Sequence, residues 1–92
     1  EIQRTNAPVL QASLQQIAAA IHAGQRDFDK LCKEGKTALR KAGAKPDYLE
    51  VCQADSLRPA TEADTSLVIL AAAFFGKTRL IDNLAFNLES ES

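Results

Sequence analysis

The feature that most constrains this chain is an uninterrupted apolar run, residues 67–75, followed directly by Gly-Lys-Thr. The three alanines in the run leave a helix possible, but its β-branched and aromatic residues and the turn signal favour a strand. Alternate side chains of a strand point to opposite faces, so a strand that is apolar throughout needs cover on both faces of its sheet. A chain of 92 residues forms one domain with a single core, and little of it remains to cover the second face.

A helix is predicted at the start of the chain. It opens at Asn6 or Ala7, with Pro8 near its first position, and Gly24 ends it. His22 lies off its apolar stripe and is predicted at the surface. The stripe has helical spacing: Leu10, Leu14, Ile17 and Ile21.

A second, amphipathic helix is predicted over residues 27–42, with Asp27 as N-cap and Gly43 just past its end. Residues 24–26 join it to the first helix in an αα-hairpin. A solvated cationic face is favoured over a phosphate or nucleic-acid surface, because no aromatic residue separates the cations. The predicted apolar face is Phe28, Leu31, Cys32, Ala38, Leu39 and Ala42, and the cationic face is Lys30, Lys33, Lys36, Arg40 and Lys41.

Two more strands complete the predicted sheet. Residues 48–52 and residues 79–88 alternate in polarity, and residues 53–65 between the first two strands are predicted as a loop anchored by Leu57. The predicted class is therefore α+β: a two-helix hairpin packed on a small, mainly antiparallel three-stranded sheet, as one domain over residues 1–92.

Asp82 falls among the apolar positions of the last strand. A carboxylate there is costly unless donors satisfy it, so we expect hydrogen bonds from the hydroxyls of Ser56, Thr61 and Thr65 and from nearby backbone N–H groups.

Charge separates the two halves of the chain. Residues 1–46 carry eight Lys and Arg against four Asp and Glu, whereas residues 47–92 carry three against eight. The net charge of −1 argues against a strongly basic nucleic-acid binder, and no apolar run is long enough for a membrane helix. Nothing at Glu1 resembles a signal peptide, so a soluble, cytoplasmic protein is expected, and the lack of Met suggests a piece of a longer or processed chain.

No catalytic, cofactor-binding or metal-binding residue is predicted. Cys32 and Cys52 do not form a C-x-x-C pair and are predicted to be reduced, buried thiols, and one histidine is too few for a structural metal site. Residues 71–78 end like a phosphate-binding loop, but Ala71 replaces its first glycine and a strand follows instead of a helix. A β-turn with Gly76 at positive φ is predicted instead.

Three segments carry a family resemblance: residues 47–51, residues 54–57 and above all residues 68–83. Together they resemble the C-terminal domain of the pantothenate synthetase (pantoate–β-alanine ligase) family, and residues 7–10 and 23–27 are also similar to it. Cys52-Gln53 departs from the Arg-Asp pair of many members, and Ser56 replaces Thr. The motif positions are structural ones: Asp55, Gly76, Arg79, Asp82 and Asn83.

The resemblance implies a two-step ligase in which ATP and Mg²⁺ activate pantoate as an acyl-adenylate and β-alanine then attacks to give pantothenate. It implies that an N-terminal catalytic domain outside this chain holds the active site, and that this domain is its lid, inactive alone. The full-length enzyme is expected to be a homodimer with no nucleic-acid or membrane partner. The alternative is a free-standing interaction module that docks an acidic partner through its cationic helix.

Overall fold

The computed structural model describes residues 2–61 and 63–88. Two helices precede three strands. The strands form one antiparallel sheet in the order β1-β2-β3, which confirms the predicted class and topology. The elements are α1 Ile2–His22, α2 Phe28–Lys41, β1 Lys45–Gln53, β2 Ser66–Phe75 and β3 Thr78–Asn87.

Helix α1 begins earlier than predicted. It starts at Ile2, and Pro8 lies inside it rather than near its first position. The prediction was wrong because proline is only favoured at a helix start; further in, it withholds one hydrogen bond and tertiary packing compensates. That packing comes from Leu14 and Ile21, both 0% exposed. The predicted end is confirmed by Gly24 at φ 113°, and His22 is exposed.

Helix α2 is capped as predicted, and its predicted apolar face is confirmed at Leu31 and Leu39 but wrong at its two alanines. The Asp27 carboxylate accepts a hydrogen bond from the Lys30 N–H at 3.1 Å. Ala38 and Ala42, predicted on the apolar face, are exposed, and Gly35 is buried instead. The helix adopts this orientation because Gly35 has no side chain, which lets α2 pack closely against β1. The other buried residues of α2 are Leu31 and Leu39.

One apolar core fills the space between the helices and the inner face of the sheet. Strand β2 lies at the centre of this core, and its side chains alternate between the two faces of the sheet. Its inward residues are Leu67, Ile69, Ala71, Ala73 and Phe75, none more than 4% exposed. Leu80, Leu84 and Phe86 of β3 pack at the margin of this core.

The loop between β1 and β2 is not anchored by Leu57, whose side chain is 58% exposed. That prediction was wrong because the loop is fixed by backbone pairing instead. The Gln53 N–H donates to the Arg58 carbonyl at 2.7 Å, and the Ala60 N–H donates to the Val51 carbonyl at 3.1 Å. Ala60 also packs against the core.

Asp82 has a backbone N–H donor, as expected, but not the expected hydroxyl donors. Its carboxylate accepts from the Asn83 N–H at 2.8 Å. The Ser56 hydroxyl instead donates to Gln53, and the Thr61 hydroxyl donates to Asp64. Asp82 tolerates this because it lies half-buried on an edge strand, where one side of its carboxylate faces solvent.

Candidate functional site

The outer face of the sheet is the first candidate surface. Strand β2 presents a second apolar row there, as its unbroken sequence requires, and no described helix packs over that row. Ile81 of β3 is 61% exposed on this face, while Leu70 and Phe74 of β2 are half-buried. The expectation that one apolar face lacks cover therefore holds for the described residues.

Ala72 shows how this face is shielded. It is 0% exposed although none of the described helices lies above it. It pairs with Tyr48 on one side and with Ile81 on the other. The two larger side chains close over the small one, so the centre of the face is shielded by its own neighbours.

A charged cluster lies at one end of the outer face. The register shifts between Pro46 and Tyr48, and this irregularity gives β1 an extra residue there, Asp47. Its Oδ2 accepts hydrogen bonds from Arg79 Nε at 3.0 Å and Nη2 at 2.8 Å. The Arg79 guanidinium also lies 5.9 Å from the centre of the Tyr48 ring. Both charged side chains are about 40% exposed, so the ion pair adds little to the stability of the fold. Its main effect is to fix the orientation of the Arg79 guanidinium.

The predicted motif residues do not converge on one site. Arg79 and Asn83 share the outer face, four residues apart on β3. Asp82 points to the opposite face, and Asp55 is exposed in the loop after β1. Gly76, at φ 66°, forms the turn between β2 and β3, which confirms the predicted β-turn.

The turn at Gly76 does not fit a nucleotide. It joins two antiparallel strands, so no helix N-terminus follows to receive a phosphate. Within residues 2–61 and 63–88 no group of three metal-ligating side chains comes together. No described helix is long and apolar enough to cross a membrane.

A groove of about 530 Å³ along the outer edge of β1 is the second candidate surface. Sequence reasoning missed it because it depends on how α2 and the loop flank the strand. Both cysteines line it as free thiols. Burial raises the pKa of Cys32 to about 11, partly opposed by Lys36, and burial and then Glu50 raise the pKa of Cys52. The thiols are therefore protonated and poor nucleophiles at neutral pH.

The sequence reasoning also missed the residue that holds the loop. The Asp64 carboxylate accepts from the Thr61 N–H at 2.7 Å, the Thr61 hydroxyl at 3.1 Å and Gln53 Nε2 at 3.1 Å. These bonds, the backbone one first, lower the pKa of Asp64. The three-residue spacing of Thr61 and Asp64 is the signal that could have located this turn.

Comparison with known proteins decides the family. Residues 1–85 match the family model described as pantoate-beta-alanine ligase. The chain belongs to this ligase family. Pantothenate synthetase from Pseudomonas putida is 57% identical over 90 residues, which cover 98% of this chain and 31% of that protein. Its counterpart from Azotobacter vinelandii is 55% identical over 86 residues, covering 94% and 30% respectively.

A solved structure agrees with this assignment to the ligase family. The crystal structure of pantothenate synthetase from Thermus thermophilus matches with a TM-score of 0.76 at 29% identity, over 89% of this chain and 30% of that one. The resemblance to this ligase family, carried mainly by residues 68–83, is confirmed. The chain spans about 30% of the length of these relatives.

Proposed function

We propose that this chain is the C-terminal lid domain of a pantoate–β-alanine ligase. The whole enzyme would join pantoate and β-alanine into pantothenate, using ATP and Mg²⁺ to form a pantoyl-adenylate. One observation carries the proposal: 98% of this chain matches a pantothenate synthetase at 57% identity, while the match covers 31% of that protein. It supports a part of a larger ligase over the free-standing interaction module.

The residues of this chain suit a covering role. The described part offers no phosphate cradle or metal cluster that fits ATP and Mg²⁺, so the proposal places both in a partner catalytic domain. A lid excludes water from a hydrolysable mixed anhydride and completes the site on closure, which requires a rigid surface. The outer face of the sheet supplies one, with Ile81 exposed on it and the Arg79–Asp47 pair at its end.

Homodimer assembly and a cytoplasmic location are part of the same proposal. Both concern the whole enzyme.

A chimera tests the assignment. This chain replaces the matching segment of the Pseudomonas putida enzyme, and pantothenate formation from pantoate, β-alanine and ATP is measured. We expect the chimera to be active, and we expect the isolated chain to release no heat on titration with ATP. A folded chimera without activity, or saturable ATP binding by the isolated chain that is lost in Lys77→Ala, would contradict the proposal.

The lid role needs a separate readout. Ile81→Asp places a charge on the outer face, so in the chimera it should weaken closure and raise the AMP released per pantothenate formed, because water then reaches the adenylate. Gln15→Asp, on the exposed side of α1, is the matched control and should leave that ratio unchanged. An unchanged ratio in the Ile81 variant would mean that this face does not close over the site.

A further inference from the structure

Strand β3 forms one edge of the sheet. Its ten residues pair with β2 along one side, and in the described part of the chain no strand pairs with the other side. The open side of an edge strand carries a row of backbone N–H and C=O groups, which is a template for the addition of another strand. A long open edge of this kind requires some protection in a protein that stays monomeric.

Hydrogen bonds at one end of the sheet show which groups of β3 face the open side. The Leu88 N–H donates to the Thr65 carbonyl at 2.7 Å, which continues the pairing of β3 with β2. In an antiparallel strand the N–H and C=O of one residue point to the same side, and those of the next residue point to the other. The even-numbered residues of β3 therefore bond to β2. The odd-numbered ones direct their backbone groups to the open edge: Arg79, Ile81, Asn83, Ala85 and Asn87.

Asp82 lies at the middle of this edge. Its Oδ1 accepts a hydrogen bond from the Asn83 N–H at 2.8 Å, so the central outward donor is already bonded. Its side chain lies on the inner face of the sheet, between the half-buried Leu80 and Leu84. A strand added here would take the Asn83 N–H away from the carboxylate. It would also cover the carboxylate with its own side chains and remove part of its hydration, which is costly for a charged group.

No ion pair accounts for a carboxylate at this position. Among the side chains that the structure describes, Asp82 has no ion-pair partner. Helix α1 packs against β3 and has no Lys or Arg in residues 8–22. Arg79 of β3 binds Asp47 on the outer face, and His22 at the end of α1 lies against the Phe86 ring. The effect of the Asp82 charge therefore falls on the edge itself.

A second copy of β3 is the strand that matches this edge. Two antiparallel copies overlap most fully when Asn83 lies opposite its own counterpart, because it is the midpoint of residues 79–87. In that register Ile81 lies opposite Ala85 on the outer face, and Leu80 lies opposite Phe86 on the inner face. Apolar side chains would then meet on both faces of the extended sheet, which favours pairing.

Asp82 opposes both ways of centring such a pair. With Asn83 at the centre, each Asp82 carboxylate lies opposite Leu84 of the other copy, and the Asn83 N–H has to leave the carboxylate to bond its counterpart. With Asp82 at the centre, two carboxylates face each other directly, and like charges so placed are destabilising.

We propose that Asp82 keeps the open edge of β3 from pairing with the β3 of a second copy of this chain. The proposal concerns the edge of the sheet and not the outer face to which the lid role is assigned, so either assignment can fail without the other.

Self-association of the 92-residue chain tests the proposal. Asp82→Thr removes the carboxylate and introduces a residue that suits a strand. Analytical ultracentrifugation gives the dissociation constant of the dimer, and we expect the variant to associate at least about tenfold more tightly than the parent chain, because no charge has to leave water. Hydrogen exchange followed by NMR should slow at Ile81 and Ala85 of the variant as concentration rises, since their N–H groups become bonded across the edge.

Three further variants separate edge pairing from other causes. Asp55→Thr, in the exposed loop after β1, makes the same change in net charge and should leave association unchanged. Asp82→Asn removes the charge but keeps an acceptor for the Asn83 N–H, so its association should lie between those of the parent and Asp82→Thr. Ala85→Pro, added to Asp82→Thr, removes an outward N–H that β2 does not use and should return association to the parent level.

Four results would each overturn the proposal. One is equal association by the parent and both Asp82 variants. Another is an equal rise in Asp55→Thr, which would make association an effect of net charge. The others are association that leaves hydrogen exchange at Ile81 and Ala85 unchanged, and association that survives Ala85→Pro, because either would place the contact away from the β3 edge.

Discussion

The close approach of α2 to β1 at Gly35 makes Gly35→Ala an informative substitution. A Cβ atom at Gly35 would lie 2.6 Å from Leu49 Cδ2 and 3.2 Å from Ile17 Cδ1. Carbon atoms prefer a separation of about 3.5–4.0 Å, so the Leu49 methyl must retreat by roughly 1 Å. Leu49 is 2% exposed and has core neighbours around it, which makes that retreat costly.

Two opposing effects set the magnitude for Gly35→Ala. Overpacking a core by a methyl group costs about 1–3 kcal/mol of unfolding free energy. Replacing glycine by alanine inside a helix returns about 1 kcal/mol through helix propensity. Ala38→Gly, at an exposed position of α2, measures that propensity in this helix. The gain in helix propensity in Gly35→Ala and its loss in Ala38→Gly cancel when the two changes in unfolding free energy are added. The sum should therefore be the cost of the clash alone, about 1–3 kcal/mol of destabilisation.

Equilibrium urea unfolding followed by circular dichroism gives these free energies. Leu49→Val removes the Cδ2 atom that Gly35→Ala would strike. In that background Gly35→Ala should change sign and stabilise the chain by up to about 1 kcal/mol. If the clash total were near zero with Leu49 intact, or if the sign did not change, the close approach of α2 to β1 would not be what requires glycine at this position.

Three further predictions concern the two faces of the sheet and the perturbed titrating groups. Ile69→Ala, on the buried face, should cost about 2–5 kcal/mol by urea unfolding, whereas Ile81→Ala, on the open face, should stay within about 0.5 kcal/mol; similar values would mean that both faces are covered. Burial raises the pKa of Cys32 from 9.0 to about 11, so the protonated thiol stabilises the fold and this contribution is lost as pH rises across that interval. The difference in Tm between the parent chain and Cys32→Ala should therefore shrink over the same interval. A constant difference would contradict the raised pKa. The pKa of Asp64 is lowered from 3.8, so the ionised carboxylate stabilises the fold above that pH, and this stabilisation is lost as pH falls through the lower pKa of the folded state. The difference in Tm between the parent chain and Asp64→Asn should therefore close on acidification. A difference that persists would argue against the hydrogen bonds as the cause.

The sequence predicted element types well because local signals agreed with tertiary packing. The Asp27 cap, the Gly43 stop and the Gly76 turn each follow from backbone geometry that few residues supply. Element order then led to the α+β class. Periodicity alone does not identify a protein family; the resemblance of residues 68–83 did.

The failures at Gly35, at Leu57 and at the β1 groove share one cause, which is that partners distant in sequence decided them. Nothing within α2 shows that Gly35, and not Ala38, faces the core, since that depends on where Leu49 lies. Leu57 looked like a loop anchor because it is apolar, but backbone pairing of residues 58–60 with β1 fixes the loop and leaves Leu57 outside. The β1 groove was missed for the same reason, as it exists only once α2 and the loop are placed.

The way the outer face is shielded bears on how a lid could work. A domain that opens and closes in each turnover must not bind its partner domain so strongly that opening becomes slow. At the level of Ala72 the apolar surface is already buried under Tyr48 and Ile81, so closure removes little further apolar area there. Ile81 is the large apolar side chain on this face that closure would bury most, because it is exposed. The Arg79–Asp47 pair at the end of the face remains hydrated. Strand β2 is thus covered on one face by the helices and on the other mainly by its neighbouring strands. For the proposed lid, such an outer face would be apolar enough to exclude water and would bind the partner domain weakly enough to open again.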